Sequence, residues 1–535
     1  MKNINKLICG IGVAFVGLTA FTSCEEETQP TSYATTDQMA QSSSATEALL
    51  SAVPASLNTV WSSSAHYSWG NGSLMKIRDV MTGDYAHVES NYDHYNAWEQ
   101  AYYIGKGYLA TQFIWNYFYK MVLTTNNLIS GIDSTNATTE QRGYLGVGYA
   151  ERASIYLDMA RMYEFLPNEK FPDGKNEAGN VVTNLTVPIV KAGMSEDSAR
   201  VNPRATREQM AAFILDDLNK AESLTPSLSG TRGKTLPDLA CVYGLKARLY
   251  MWLENYPQAQ VYARKAIDAS RLTPMTQAQA LSTTTGFNTP DPWMWASTLT
   301  AENETVESGI LNWTSWCSNE TEFGYAGAGP NIMISKELYD RISDSDWRKL
   351  EWKAPDDSPL ANKVSFLTST YKKNLPTYAS VKFRPASGNY EDSSIGACAS
   401  YPLMRVEEMY FIEAEAAAHQ NAAQGKALLE SFMKNYRDAN YVCQVSDIDA
   451  VVEEIVFQKR VELWGEGQTF FDIKRLNYSV TRAYAGTNFF EQCRYNTNGR
   501  PAWMNIVIVQ TEENNNAGVR DWNNPDPSDQ YTPIQ

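Results

Sequence analysis

Apolar residues return at spacings of three and four along most of the chain, the period of a helix with one buried face. Ala48, Leu49, Ala52, Val53 and Leu57 form the first such stripe, and Trp115, Tyr119 and Val122 carry a second within a long aromatic helix predicted over 101–129. The segments 144–165 and 206–224 are amphipathic, the latter opening at Thr206, Arg207 and Glu208 as a cap region. A clear pair follows over 238–254 and 257–269, joined by a turn at Asn255 and Tyr256. Its Tyr243, Ala247, Tyr250, Ala259 and Ala266 fall on the large and small positions of a tetratricopeptide repeat, where alanines let two helices approach closely. From 272 to 400 the period fades under frequent Gly, Pro, Asn, Ser and Trp, so short elements in an elaborated loop region are expected there. Helical patterns resume at 402–419, 425–440 and 448–476, and 505–510 reads as a short strand. The pattern predicts a mostly α fold: tetratricopeptide-like helix pairs forming an α-solenoid core, with long irregular loops and little β. A plain helical bundle is the alternative.

The start of the chain reads differently. Lys2 and Lys6 precede an uncharged stretch over 7–22, too short for a comfortable membrane span, which matches a secretory signal over residues 1–23. Cys24 closes that stretch and Glu25, Glu26 and Glu27 follow it. A cysteine there looks like the acylation site of a bacterial lipoprotein, and the acidic triplet resembles the signal that sends lipoproteins to the extracellular face of the outer membrane. Two or more acyl chains, at ~0.8 kcal/mol per buried methylene, anchor firmly. Soluble secretion with an incidental cysteine is the bland alternative. Residues 24–44, rich in Ser, Thr, Gln and Glu, then form a flexible lipidated tether, and 45–535 one helical domain, with the loop elaboration at about 272–400 and a distinctive C-terminal region at 401–480.

Charge and motif content narrow the function. The 535 residues carry a net charge of −16 with no basic run, which argues against nucleic acid as a partner. Cys241, Cys317, Cys398, Cys443 and Cys493 are widely spaced and form neither a disulfide framework nor a zinc pattern. No HExxH, GxSxG or GxGxxG occurs, and four isolated histidines offer little for acid–base or metal work. Gly233, Lys234 and Thr235 resemble the end of a phosphate loop, but Leu228 occupies the position of its first glycine. The expectation is a binding protein without catalytic residues, metal or cofactor, although the 61 acids leave an accidental glycosidase-like pair open.

Aromatic density is the informative excess. Residues 61–119 hold fifteen Trp, Tyr or Phe, and four of the fourteen tryptophans lie between Phe287 and Tyr325. Trp115, Phe118 and Tyr119 have helical spacing and read as core. Trp69, Tyr92, Tyr95, Trp293, Trp295, Trp313 and Trp316 stand instead among Gly, Ser, Asn, Asp and Pro, where loops face water. A pyranose has an apolar C–H face and a hydroxyl rim, so such rings can cover the face while polar neighbours, with Arg78 a candidate, bond the rim. Peptide side chains would fit the same rings.

Several segments together resemble the SusD/RagB family of outer-membrane nutrient-binding lipoproteins. Glu151, Arg152, Ala153, Tyr156, Asp158, Arg161 and Tyr163 look like its early helix, and Val187, Pro188 and Ile189 like the segment after it. Asp217, Leu218 and Ala221, then Ala247, Arg248 and Tyr250, match the next two helices. Arg405, Glu408, Tyr410, Glu413, Ala414 and Glu415 resemble its arginine-to-acid helix, and Asn435 and Arg437 its Asn-x-Arg turn. Arg460, Glu462, Leu463, Glu466, Gly467, Phe471, Asp472 and Arg475 match its closing signature. Helical spacing makes internal ion pairs, not catalysis, the better use of these charges. The resemblance implies a hinged lid on a SusC-like TonB-dependent transporter that captures an oligosaccharide or polysaccharide at loop aromatics. An oligopeptide-binding member, or a structural lid with little affinity of its own, are the alternatives. A Cys24→Ala variant is expected in the soluble fraction on cell fractionation; retention with membranes contradicts the anchor.

Overall fold

A computed structural model describes residues 43–535, so the signal segment, Cys24 and nearly all of the expected tether lie outside the described residues. The main elements in chain order are α1 (Ser43–Ser56), α2 (Asn71–Val80), β1 (Tyr85–His87), α3 (Leu109–Ser130), α4 (Thr139–Tyr163), α5 (Arg207–Leu224), α6 (Leu239–Trp252) and α7 (Tyr256–Ser270). After these come β2 (Trp295–Ser297), β3 (Ile332–Ile334), β4 (Tyr401–Met404), α8 (Val406–Gln420), α9 (Ala422–Tyr436), α10 (Ile448–Glu462) and α11 (Thr469–Leu476). Helices α3 to α9 pack each on the next in sequence order, with α10 against α8 and α9. This is the expected stack of tetratricopeptide-like pairs. β1 pairs antiparallel with β3 and β2 with β4, two small ribbons that tie the irregular region to the helices.

Local chemistry sets the helix ends. Thr138 and Gln141 form a reciprocal cap on α4, and Thr206 does the same with Gln209 on α5. Asp238 and Asn255 cap α6 and α7. The aromatic helix expected from 101 starts only at Leu109, because Ala101 and Tyr103 take left-handed φ values of 51° and 56° and turn the chain. The expected helix over 448–476 breaks after Glu462, and Gly467 shows why. Its φ is 68°, and a Cβ there would lie 2.8 Å from the Met75 Cα, so only glycine lets this turn press against α2. Its N–H donates to Asp79 and its carbonyl accepts from Arg78 Nε, both at 2.9 Å. The stretch 505–510 is not a strand. The carboxamides of Asn523 and Asn524 take over the pairing a strand partner would supply, at Ile506 and Ile508.

The charged residues singled out in the sequence stitch the stack from within. Arg152 forks onto Asp217 with two bonds of 2.8 Å, joining α4 to α5, and Arg248 forks onto Glu408 at 2.7 and 2.6 Å, joining α6 to α8. Arg475 of α11 reaches Glu415 of α8. At the centre, Glu462 accepts from Arg437 (2.7 and 2.8 Å), Arg405 (3.1 Å) and Arg348 (3.2 Å). Arg405 and Lys382 also converge on Glu466, each at 2.9 Å. All six groups are buried.

Burial pushes the Glu462 carboxyl upward, but Arg437, Arg405 and Arg348 overcome it and hold the group well below the usual carboxylate range. A depressed folded value stabilises above the unfolded value, about 4.3, and that stabilisation drains as pH falls through the folded value. Glu462→Gln is therefore expected to cost about 3–5 kcal/mol at pH 7 in urea unfolding. The gap to wild type should narrow as pH falls below about 4. A gap that is small at pH 7 or independent of pH contradicts this role.

Candidate functional site

The loop aromatics divide sharply. Tyr92 is 59% exposed, whereas Trp69, Tyr95, Trp293, Trp295, Trp313 and Trp316 are each 2% exposed or less. The expectation that these seven rings face water therefore holds for Tyr92 alone. Their polar neighbours serve the turns of the backbone, while each indole carries enough apolar area to be drawn inward. Arg78 is buried too, bonded to Gly467 and paired with Asp158 at 3.2 Å. Trp313 stacks on Tyr401 with centroids 4.9 Å apart, and the Trp69 indole donates to the Tyr95 hydroxyl at 2.8 Å.

One of the buried indoles backs an open surface. Trp316 stacks under Tyr325 at 4.2 Å and 13°, and Tyr325 is only half-buried. Tyr92 faces Tyr325 at 6.5 Å across a 50° tilt. His66 and His94 complete the group, 4.6 Å apart, with His94 edge-on to Tyr325 at 5.5 Å and the His66 Nδ1 hydrogen-bonded to the Tyr325 hydroxyl. Three partly exposed rings, Tyr92, His66 and His94, thus stand around one stacked pair. Burial, then the neighbouring His66, lowers the His94 pKa and favours its neutral imidazole.

The backbone beneath is fixed. Asn312 caps a short helix, Trp313–Cys317, by accepting from Ser315 N at 2.9 Å, and the Ser315 hydroxyl accepts from Tyr325 N at 3.1 Å. Glu320, between Trp316 and Tyr325 in sequence, is fully buried against Arg384 at 3.0 Å. On the other side Ser90 and Asp93 hold the turn that presents Tyr92. A Cβ at Gly329 would lie 2.5 Å from Ser90 Oγ and 3.3 Å from the Tyr92 ring, so glycine permits this approach.

Beneath the Tyr92 turn, His87, Asp93 and Glu99 bring metal-type ligand atoms within 4.8 Å of one another. Lys76 supplies the positive charge there. Its ammonium donates to His87 Nε2 at 2.8 Å, which leaves the ring proton on Nδ1, facing Glu99. Burial, then Lys76, keeps His87 far below its ordinary pKa and neutral. The buried chain from Lys76 through His87 to Glu99 underlies the turn.

Sequence reasoning missed His66, His94 and Tyr325. The signal was faint: His66 and His94 each precede a tyrosine, and only the fold brings them together. A second exposed aromatic group, Tyr102, Tyr103 and Tyr108, stands at the turn before α3, with centroid spacings of 4.6 and 5.0 Å.

Comparison with known proteins places this architecture. Residues 278–535 match the model of the SusD family, and residues 33–251 match a second model described as "starch-binding associating with outer membrane". The chain belongs to the SusD/RagB family. Its fold is similar to that of a SusD-like carbohydrate-binding protein from Bacteroides vulgatus, at 21% identity and a TM-score of 0.67, covering 88% of this chain and 96% of that one. SusD-superfamily proteins from Bacteroides fragilis (17% identity, TM-score 0.62, 90% and 99% covered) and Bacteroides thetaiotaomicron (16%, 0.64, 91% and 99%) share it as well. Among curated proteins, none matches the chain. Among the described residues no helix is long and apolar enough to cross a membrane.

The two kinds of ring separate by stability. Trp313→Ala is expected to cost about 3–5 kcal/mol in urea unfolding, and Tyr92→Ala no more than about 0.5 kcal/mol. Equal costs contradict the assignment of one ring to the core and the other to the surface.

Proposed function

We propose that the chain is a cell-surface glycan-binding lipoprotein that captures oligosaccharides at the surface formed by Tyr92, Tyr325, His66 and His94. Anchored through Cys24, it delivers them as a lid to a SusC-like TonB-dependent transporter. The observation that carries the reading is the stacked Trp316–Tyr325 pair with Tyr92 standing across from it. A ring already stacked on a buried indole is immobile, so little conformational entropy is lost when a sugar lies on it. Its outer face presents the electron-rich plane that pyranose C–H groups favour, and the imidazoles and hydroxyls at its edge suit a hydroxyl rim. Family membership, the starch-binding description of the matched model and the carbohydrate-binding fold relative support the same ligand class.

Calorimetry of wild type against panels of polysaccharides and peptides tests it. Tyr92→Ala and Tyr325→Ala are expected to lower glycan affinity about tenfold or more, about 1.4 kcal/mol, with thermal unfolding of Tyr92→Ala unchanged. Binding of peptides alone would reverse the assignment in favour of an oligopeptide receptor. Silence on every ligand, with a barrel partner still co-purifying, would make the protein a structural lid.

A further inference from the structure

A cleft of about 210 Å³ shares no residue with the aromatic surface and opens where the end of α4, the start of α5, α6 and α11 meet. Seven cationic side chains line it against four carboxylates, in a chain whose net charge is −16. Several of these cations are matched. Arg248 grips Glu408, Arg207 pairs with Glu164 at 3.3 Å, and Lys459 with Asp472 at 2.9 Å. Glu254 is the exposed acid of the lining.

Lys474, Arg500 and Arg161 stand apart. Lys474 is 3% exposed, and its ammonium makes one hydrogen bond, to the Met162 carbonyl at 2.8 Å. The Arg500 side chain bonds only the Asn477 carboxamide, at 2.9 Å. Among the described residues neither forms a salt bridge, and Glu164, which acts on both through space, is already engaged by Arg207 and the Trp252 indole. Arg161 shares Asp158 with Arg78, and its buried Nε meets no acceptor. The Arg161 guanidinium carbon lies over the Phe471 ring, 3.6 Å from its centroid. Burial lowers the pKa of all three cations. Donors this poorly matched beside a low-dielectric wall are costly, and an anion in the cleft that all three line would offer them a partner.

We propose that this cleft binds a small oxyanion carrying at least two negative charges, with Lys474, Arg500 and Arg161 as its contacts. Such a ligand is a phosphate or a compact polycarboxylate. A cavity of 150 Å³ takes a benzene-sized guest, so a cleft of about 210 Å³ suits these and not a glycan chain. The apolar side chains of Trp252, Ile412 and Phe471 contribute walls that exclude water and strengthen each charge-assisted bond.

The test is calorimetric titration of the described domain in its full chain with sodium phosphate and, separately, sodium citrate, at ionic strength held constant with sodium chloride. Saturable binding of at least one, with a matching rise in Tm over the chloride control, is expected. The arm that responds distinguishes phosphate from carboxylate recognition. Arg500→Ala, half-exposed and outside the core pairs, is expected to weaken that binding about tenfold, and Lys474→Met to abolish it. If Lys474→Met does not fold, the Arg500→Ala titration decides alone. Heats and Tm indistinguishable from chloride in both arms, or an Arg500→Ala affinity equal to wild type, would overturn the proposal.

Discussion

The fold hangs on one buried carboxylate. Glu462, at the end of α10, accepts from three guanidiniums that come from separate places in the chain: Arg348 from the irregular region, Arg405 from the start of α8, and Arg437 from the end of α9. A buried ion is tolerable only when its partners are complete, so removing any one member leaves uncompensated charge in the interior. This turns packing of an irregular segment with no helical period into an all-or-none arrangement. The apolar core supplies most of the driving force, but the ionic centre specifies which loop meets which helix.

That specification reaches the surface. The irregular region is pinned a second time by Arg384 on Glu320, which lies between Trp316 and Tyr325 in sequence. On the opposite side the chain from Lys76 through His87 to Glu99 supports the Tyr92 turn. The rings of the aromatic surface are therefore presented by loops whose backbones are held from within. Rigidity of this kind favours a ligand with a flat apolar face and a polar rim.

Much of the helical stack was legible because its signals are local: a stripe at three-and-four spacing, the cap region at Thr206, the turn at Asn255, and small residues at Ala247, Ala259 and Ala266. The charged signature was legible as structure, since Arg248 and Glu408, or Arg437 and Glu462, find each other across the stack. The long aromatic helix starts eight residues later than hydropathy suggests, because left-handed backbone at Ala101 and Tyr103 leaves no mark in it. The site was the least legible. Period two or 3.6 tells inside from outside, and a loop has neither, so Trp293 and Trp313 looked no different from Tyr92. His66 and Tyr325 meet across 259 positions, a pairing that only the assembled fold creates.

The central claim is that the stacked Trp316–Tyr325 pair is a platform for sugar. A crystal structure of the protein with an oligosaccharide that it binds tests this most directly. The account requires a pyranose ring lying flat on the outer face of Tyr325, with Tyr92 at its edge. An ordered sugar held elsewhere, with Tyr325 and Tyr92 bare, would contradict it.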